Sequence, residues 1–104
     1  MAETERGTGG EVLEKTKPKA ARPRLFNVIL HNDDYTTMQF VIEVLETIFH
    51  KSPADAFRIM MLVHTRGQGL CGSYPYEVAE TKVALVHERA RAQGFPLRAS
   101  LEAA

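Results

Sequence analysis

Residues 25–50 read LFNVILHNDDYTTMQFVIEVLETIFH, and this stretch decides the fold. Its first part, Leu25–His31, is rich in β-branched and aromatic side chains that alternate between two faces, which predicts a strand. The next three residues, 32–34 (NDD), predict a turn because short polar side chains bond to nearby backbone groups. Apolar residues then recur at helical spacing over Met38–Phe49, so we expect a helix that ends near His50.

Capping residues predict the ends of the first two helices. Thr36 and Gln39 fit the Ser/Thr-x-x-Glu/Gln capping box, so we expect Thr36 to be the N-cap and Gln39 to reach back to it. Ser52-Pro53 predicts the start of a second helix, with serine as the cap and proline at the first helical position. Gly67 suits the left-handed position that follows this helix. One broad face of the second helix consists of Phe57, Met60, Met61 and His64.

The remaining elements complete an α+β domain. A short strand is predicted over residues 70–74, a third helix over residues 75–93 with Gly94 as its stop, and a last strand over residues 97–101. The third helix carries apolar residues at spacings of four, three and four, namely Ala79, Val83, Val86 and Ala90. The order β-α-α-β-α-β predicts a single small domain with three helices packed on a three-stranded antiparallel sheet.

Composition separates an extension from this domain. Residues 1–24 hold few large apolar side chains, so we expect a flexible N-terminal extension, whereas residues 25–104 contain all eight aromatic residues. Thirteen basic residues balance thirteen acidic ones, which argues against nucleic acid as the main partner. No apolar run approaches the roughly 20 residues of a membrane span, and the first ten residues lack the apolar region of a signal peptide. We therefore expect a cytoplasmic protein without a membrane partner.

Three motifs suggest enzyme chemistry but fit a structural interpretation better. Residues 67–72 match G-x-G-x-x-G, yet a helix precedes them and a strand follows, so they predict a turn and not a dinucleotide site. His31 and Asp33, with His64, spell the two-histidine, one-carboxylate set of non-haem iron enzymes, but a chain this short cannot enclose iron and a co-substrate. Cys71 lacks an identifiable orienting partner, and we expect it to be buried. We expect no metal and no cofactor.

Two groups of polar residues remain without an assigned role. Residues 32–34 admit two interpretations, since they either make a turn and favour the helix dipole or offer oxygens to a ligand. His64 lies among apolar residues near the end of the second helix, where a buried core histidine is the commoner outcome. The residues alone leave both questions open.

Several blocks of the sequence together resemble one known family. They are Asn32-Asp33-Asp34-Tyr35-Thr36-x-Met38-x-Phe40-Val41, Val63-His64, Cys71-Gly72, residues 77–83 (EVAETKV) and Pro96-Leu97. In this order and spacing they resemble the ClpS adaptors of the Clp protease, over about residues 24–102. Thr37 departs from the family pattern, which often has proline there, but proline at a first helical position is favourable and dispensable.

The resemblance implies an adaptor and not an enzyme. ClpS-like adaptors recognise the N-degron of the N-end rule, a bulky apolar first residue (Phe, Tyr, Trp or Leu), and deliver such proteins to the ClpA unfoldase of the ClpAP protease. The residues expected to bind the N-terminal amine are Asn32, Asp33, Asp34 and His64. Asp33 is expected to contribute its electrostatic field more than a direct contact with the amine. These acceptors suit an α-amino group, because it is a cation with three N–H donors.

The resemblance also implies a pocket for the first side chain and a docking surface. The expected pocket residues are Leu30, Thr36, Met38, Val41, Met60, Val63 and Leu97. Methionines suit a pocket that accepts several shapes, because their side chains are unbranched and polarizable. The residues expected to dock on the N-terminal domain of ClpA are Glu77, Lys82 and Tyr35, although charges on a helix more often lie on a solvated face.

Two other classes of protein stay open alongside the adaptor. One is a binding module of a different protease system, and the other is a small metal enzyme. Within the adaptor hypothesis, the sequence leaves open which of the four bulky first residues is preferred.

Overall fold

The structure, a computed structural model, describes residues 22–104. The elements of this part are β1 (Leu25–His31), α1 (Met38–Thr47), α2 (Pro53–Arg66), β2 (Gln68–Pro75), α3 (Tyr76–Gln93) and β3 (Arg98–Ala103). The predicted order β-α-α-β-α-β and the α+β class are confirmed. Most of the predicted extension, residues 1–21, lies outside the described residues.

Strand β1 is the centre of an antiparallel sheet with the order β2-β1-β3. Residues 28–30 of β1 are buried, as expected for a strand with a neighbour on each side. The last residue of β1, His31, pairs with Gln68 of β2 and with Arg98 of β3. The chain therefore leaves β1 at the edge of the sheet where α2 ends and β2 begins.

One hydrophobic core joins the helices to the sheet. Helix α2 packs on β2, α3 packs on the three strands, and α1 packs against α2. The largest fully buried side chains in this core are Leu30, Leu45, Val28, Val44, Val86 and Cys71. The burial expected for Cys71 is thereby confirmed. Every helix and strand contributes at least one buried residue to this core, and β3 contributes Ala99.

Helix α1 has a different cap from the one that the capping box predicts. The Thr37 hydroxyl accepts a hydrogen bond of 3.1 Å from the Phe40 backbone N–H, which makes Thr37 the N-cap. The Thr36 hydroxyl instead donates to the Asp33 carboxylate over 2.8 Å. The prediction of Thr36 as the cap was wrong because Asp33 competes for that hydroxyl. The predicted cap of α2, Ser52, is confirmed.

Helix α2 ends where predicted, but its buried face is rotated. Gly67 follows its last residue with φ of 90°, the left-handed conformation that glycine adopts easily. The buried residues of α2 are Ala56, Ile59, Met60 and Val63. Strand β2 approaches this face so closely that a Cβ atom on Gly69 would lie 2.8 Å from a methyl group of Val63. Phe57 and His64 consequently turn to solvent.

Several boundaries differ from the predicted ones for reasons that lie in the pairing of the strands. Strand β2 is longer than the predicted residues 70–74 because it pairs along the whole of β1. It begins within residues 67–72, directly after α2, which confirms that the glycine-rich motif is a helix-to-strand turn. Helix α1 ends at Thr47, before His50 takes a left-handed φ of 55°. Among the helices of residues 22–104, none is long and apolar enough to cross a membrane.

Candidate functional site

A cavity of about 240 Å³ opens between the turn after β1 and the helices α1 and α2. Its lining combines polar residues of the turn and of α2 with apolar residues of both helices. The lining residues are Asn32, Asp33, Asp34, Thr36, Met38, Val41, Met60, Val63 and His64. Each of them belongs to the set that the family resemblance implies for amine binding or for the pocket.

A backbone hydrogen bond brings the two polar parts of the lining together. The Asn32 N–H donates to the Gly67 carbonyl oxygen over 2.9 Å, which ties the turn after β1 to the end of α2. His64 lies in the last turn of α2. Residues separated by a helix and a loop in the sequence therefore face the same cavity.

Asp33 organises the turn on which the site is built. Its carboxylate accepts hydrogen bonds from the Tyr35 N–H (2.8 Å), the Thr36 N–H (2.7 Å) and the Thr36 hydroxyl (2.8 Å). Burial acts to raise the pKa of Asp33, but the hydrogen bonds from Thr36 and Tyr35 outweigh it and lower the pKa. Asp33 is therefore negatively charged at neutral pH, and its oxygens are engaged by its own turn.

The side chains of Asn32, Asp34 and His64 are exposed and not engaged in this way. Within residues 22–104, none of the three takes part in a side-chain hydrogen bond or an ion pair. His64 is therefore not a buried core histidine, although burial is the commoner outcome for such a residue. An amide oxygen, a carboxylate and an imidazole nitrogen are acceptors available to a ligand.

The apolar part of the cavity has a fixed floor and an open rim. Val41, Met60 and Val63 are buried and belong to the hydrophobic core, so their positions are set by packing. Met38 begins α1 and is 46% exposed. The thioether of Met38 therefore has freedom to adapt to what enters, while the floor does not.

Two residues predicted for the pocket, Leu30 and Leu97, do not line this cavity. Leu30 is fully buried in β1, because strand alternation turns it into the core. Leu97 lines a different cavity, together with Phe95 and Pro96, between α3 and β3. A contribution of these two residues to the pocket stays a prediction.

The residues of the enzyme-like motifs do not form a reactive site. Burial raises the pKa of the Cys71 thiol to about 12, so it is protonated and unreactive at neutral pH. His31 Nε2 lies 2.7 Å from Ser100 Oγ, on the face of the sheet opposite to Leu30. His31 therefore points away from the cavity that His64 lines, and across residues 22–104 no three His, Cys, Asp or Glu side chains lie close enough to share a metal ion.

Lys82, one of the predicted docking residues, is held by intramolecular contacts. Its ammonium donates to the Ile48 carbonyl oxygen over 2.7 Å and lies 5.2 Å and 5.7 Å from the ring centroids of Tyr74 and Phe49. Ile48 caps the C-terminus of α1, where the helix dipole favours a cation. No local sequence pattern predicts this role of Lys82, because the contact joins residues 34 positions apart.

The other two predicted docking residues lie freely on the surface. Glu77 is exposed in the first turn of α3, and Tyr35 is 76% exposed in the turn after β1. A shallow groove along α3 is lined by Glu77, Val78, Thr81, Lys82 and Leu85. Tyr35 belongs to the cavity side of the molecule, so the three predicted residues do not share one groove.

Comparisons with known proteins define the class of this chain. Residues 21–100 match the family model described as ATP-dependent Clp protease adaptor protein ClpS. The ClpS adapter protein of Oleidesulfovibrio alaskensis is 64% identical over 80 residues, which cover 77% of this chain and 77% of that protein. The one of Desulfatibacillum aliphaticivorans is 56% identical over 93 residues, covering 89% of each chain.

A solved structure agrees in fold as well as in sequence. ClpS2 of Agrobacterium tumefaciens, determined bound to L-phenylalaninamide, superposes with a TM-score of 0.77 at 36% identity, covering 80% of this chain and 100% of that one. The fold and the sequence together define an adaptor of the ATP-dependent Clp protease. The chain belongs to the ClpS family, which consists of adaptors and not of proteases.

Proposed function

We propose that this adaptor binds substrate proteins through an N-degron, a bulky apolar first residue with a free α-amino group, and delivers them to the ClpA unfoldase of ClpAP in the cytoplasm. One observation carries the proposal. The acceptors of Asn32, Asp34 and His64, whose side chains have no hydrogen-bond partner within residues 22–104, adjoin a buried apolar floor within a single cavity. A ligand that is cationic at one end and apolar at the other matches both parts.

The polar part of the cavity suits a protonated amine. An α-ammonium group has three N–H donors, and the Asn32 side-chain oxygen, the Asp34 carboxylate and a ring nitrogen of His64 offer three acceptors. Asp33, whose oxygens serve its own turn, contributes negative charge without a direct bond. A hydrogen bond to a charged group contributes roughly 1.5–3 kcal/mol, so these acceptors discriminate strongly against a blocked N-terminus.

The apolar part has room for a large side chain. An enclosed apolar cavity of about 150 Å³ accommodates benzene, and the whole cavity here, which is open to solvent and includes the polar part, measures about 240 Å³. The ligand in the Agrobacterium structure, L-phenylalaninamide, combines an aromatic side chain with a free amine, which supports the same ligand chemistry here. Burying a Phe or Leu side chain contributes roughly 1.5–3 kcal/mol. After the costs of association, binding near the micromolar range, about −8 kcal/mol, is expected.

Delivery requires a second surface for the unfoldase. We assign it to the α3 groove around Glu77 and Lys82, with Tyr35 as a separate contact near the cavity. Exposed Val78 supplies an apolar patch between the two charges of the groove. Residues 25–104 are the adaptor domain in this proposal, and residues 1–24 are an extension that the unfoldase engages.

A peptide panel that differs only in its first residue tests the recognition step. Fluorescence anisotropy with Phe, Tyr, Trp or Leu first should give binding at least tenfold tighter than with Ala, Lys or Glu first, about 1.4 kcal/mol. Met38→Gln should reduce the discrimination between Phe and Ala, whereas Leu70→Gln should not, because Leu70 is similarly exposed on β2 away from the cavity. Equal affinity across the panel would refute the proposal.

A further inference from the structure

An apolar ridge on α2 continues from the amine end of the cavity and belongs neither to the lining of the cavity nor to the groove along α3. Phe57 is 54% exposed, although a large aromatic side chain contributes most when it is buried. Met61 follows four residues later and is half-buried against the core. His64 stands three residues beyond Met61 and lines the cavity.

Helix geometry places these three side chains in one line. At 100° and about 1.5 Å per residue, positions 57 and 64 differ by roughly 20° around α2 and by about 10 Å along it. Met61 lies between them, and positions i and i+4 are neighbours on a helix surface. The ridge formed by Phe57 and Met61 thus runs from His64 towards the N-terminus of α2, beside Met60 in the cavity wall.

The path of a bound peptide follows from the position of its first residue. Its amine is held at the His64 end, and its side chain points inward to Met60 and Val63. The carbonyl carbon of the first residue lies at about 111° to the amine nitrogen, and a path along α2 away from the His64 end satisfies this geometry. An extended chain advances about 3.3–3.6 Å per residue, so its second and third residues fall within the 10 Å that separates His64 from Phe57.

We infer that Phe57 and Met61 form a second subsite, which selects substrates with an apolar side chain at the second or third residue. The inference rests on the proposed function, because the position of the first residue sets the register. The occupant is the substrate itself, since the ridge is continuous with the cavity through Met60 and His64. Contact with the methionine and the phenylalanine ring favours Leu, Met or Phe over Gly or Asp at these positions.

The test measures peptide preference and its dependence on Phe57. Peptides that begin with Phe carry Gly, Leu or Asp at position two or three and are titrated against the full-length chain. We expect Leu at one of these positions to bind about three- to tenfold more tightly than Gly. In Phe57→Gln the preference should fall below about 1.5-fold, while the affinity for the Phe-Gly-Gly peptide stays unchanged. Leu70→Gln, a change at a similarly exposed residue elsewhere, should keep the preference.

The outcomes separate this inference from the proposed function. Failure of the Phe-Gly-Gly peptide to bind contradicts the proposed function itself. Binding without any preference, or a preference that survives in Phe57→Gln, refutes only the second subsite. Met61→Gln provides an independent variant should Phe57→Gln lose its fold by circular dichroism. Self-association of the wild type that is lost in Phe57→Gln would overturn the inference by assigning the ridge to a second copy of the chain.

Discussion

The cavity between α1 and α2 and the groove along α3 both present charged side chains, but those charges are engaged differently. In the cavity, Asp33 is bonded within its turn, and the neighbouring Asp34 has no such bond among residues 22–104. In the groove, Lys82 is bonded to α1 and packed over two aromatic rings, whereas Glu77 is exposed. Each site therefore pairs a charge that serves the fold with a charge that remains available.

This contrast teaches that a charged residue in a recognisable motif has to be judged by its partners. A buried or bonded charge that loses its partner destabilises the fold, and a free one mainly changes binding. The two adjacent carboxylates, and the two charges of α3, are therefore expected to respond differently to mutation.

The adjacent aspartates give the largest predicted contrast. Asp34→Asn should weaken binding of a Phe-first peptide about tenfold, through loss of one charged acceptor, and leave the free energy of unfolding within about 0.5 kcal/mol of wild type. Asp33→Ala should lower the free energy of unfolding by about 1–2 kcal/mol, because three donors lose their acceptor. Urea titration and anisotropy measure the two effects. A stable Asp33→Ala and an unstable Asp34→Asn would reverse the assignment.

The charges of α3 give the next contrast. Lys82→Met should lower the free energy of unfolding by about 1 kcal/mol, since it removes a hydrogen bond to Ile48 and the cation–π contacts. Glu77→Gln should leave stability unchanged and weaken binding to the N-terminal domain of ClpA. Peptide affinity should be intact in both variants, as calorimetry would show. Loss of peptide binding in Glu77→Gln, with the fold retained, would mean that the two surfaces are not separate.

Local patterns predicted the fold well, because most of its determinants are local. The alternation of Leu25–His31 and the Ser52 cap gave the correct elements, and the helix before residues 67–72 excluded a dinucleotide site. The cap of α1 was wrong because Asp33 takes the Thr36 hydroxyl, which depends on the folded turn. The lining of the cavity was found through resemblance to a family, whereas the engagement of Lys82 depends on contacts between distant elements that no local pattern contains.

His64 should contribute to recognition and little to stability, because its exposed side chain lines the cavity. His64→Ala removes one acceptor and should weaken binding of a Phe-first peptide about three- to tenfold. The free energy of unfolding should stay within about 0.5 kcal/mol of wild type. Anisotropy and urea titration measure the two quantities, and an unchanged affinity in a folded variant would remove His64 from the amine site.

His31, on the opposite face of the sheet, should affect stability slightly and binding not at all. Burial, and then the charge of Arg98, lower the pKa of His31, with Glu102 opposing them. The unfolded chain binds more protons below about pH 6.5, so the contribution of His31 to stability is present above that pH and is lost as the pH falls through the lowered pKa. In urea titrations from about pH 7.5 to 5.5, His31→Gln should lose less stability than wild type. An equal loss would exclude His31 as the source.

The central claim is that the free acceptors of the cavity hold a charged N-terminus, and acetylation of the ligand tests it most directly. Two Phe-first peptides that are identical except for an N-acetyl group should be titrated against the wild-type chain at about pH 7. Acetylation should weaken binding at least tenfold, about 1.4 kcal/mol, because it removes the cation to which Asn32, Asp34 and His64 offer acceptors. Equal affinity for the acetylated and the free peptide would contradict it.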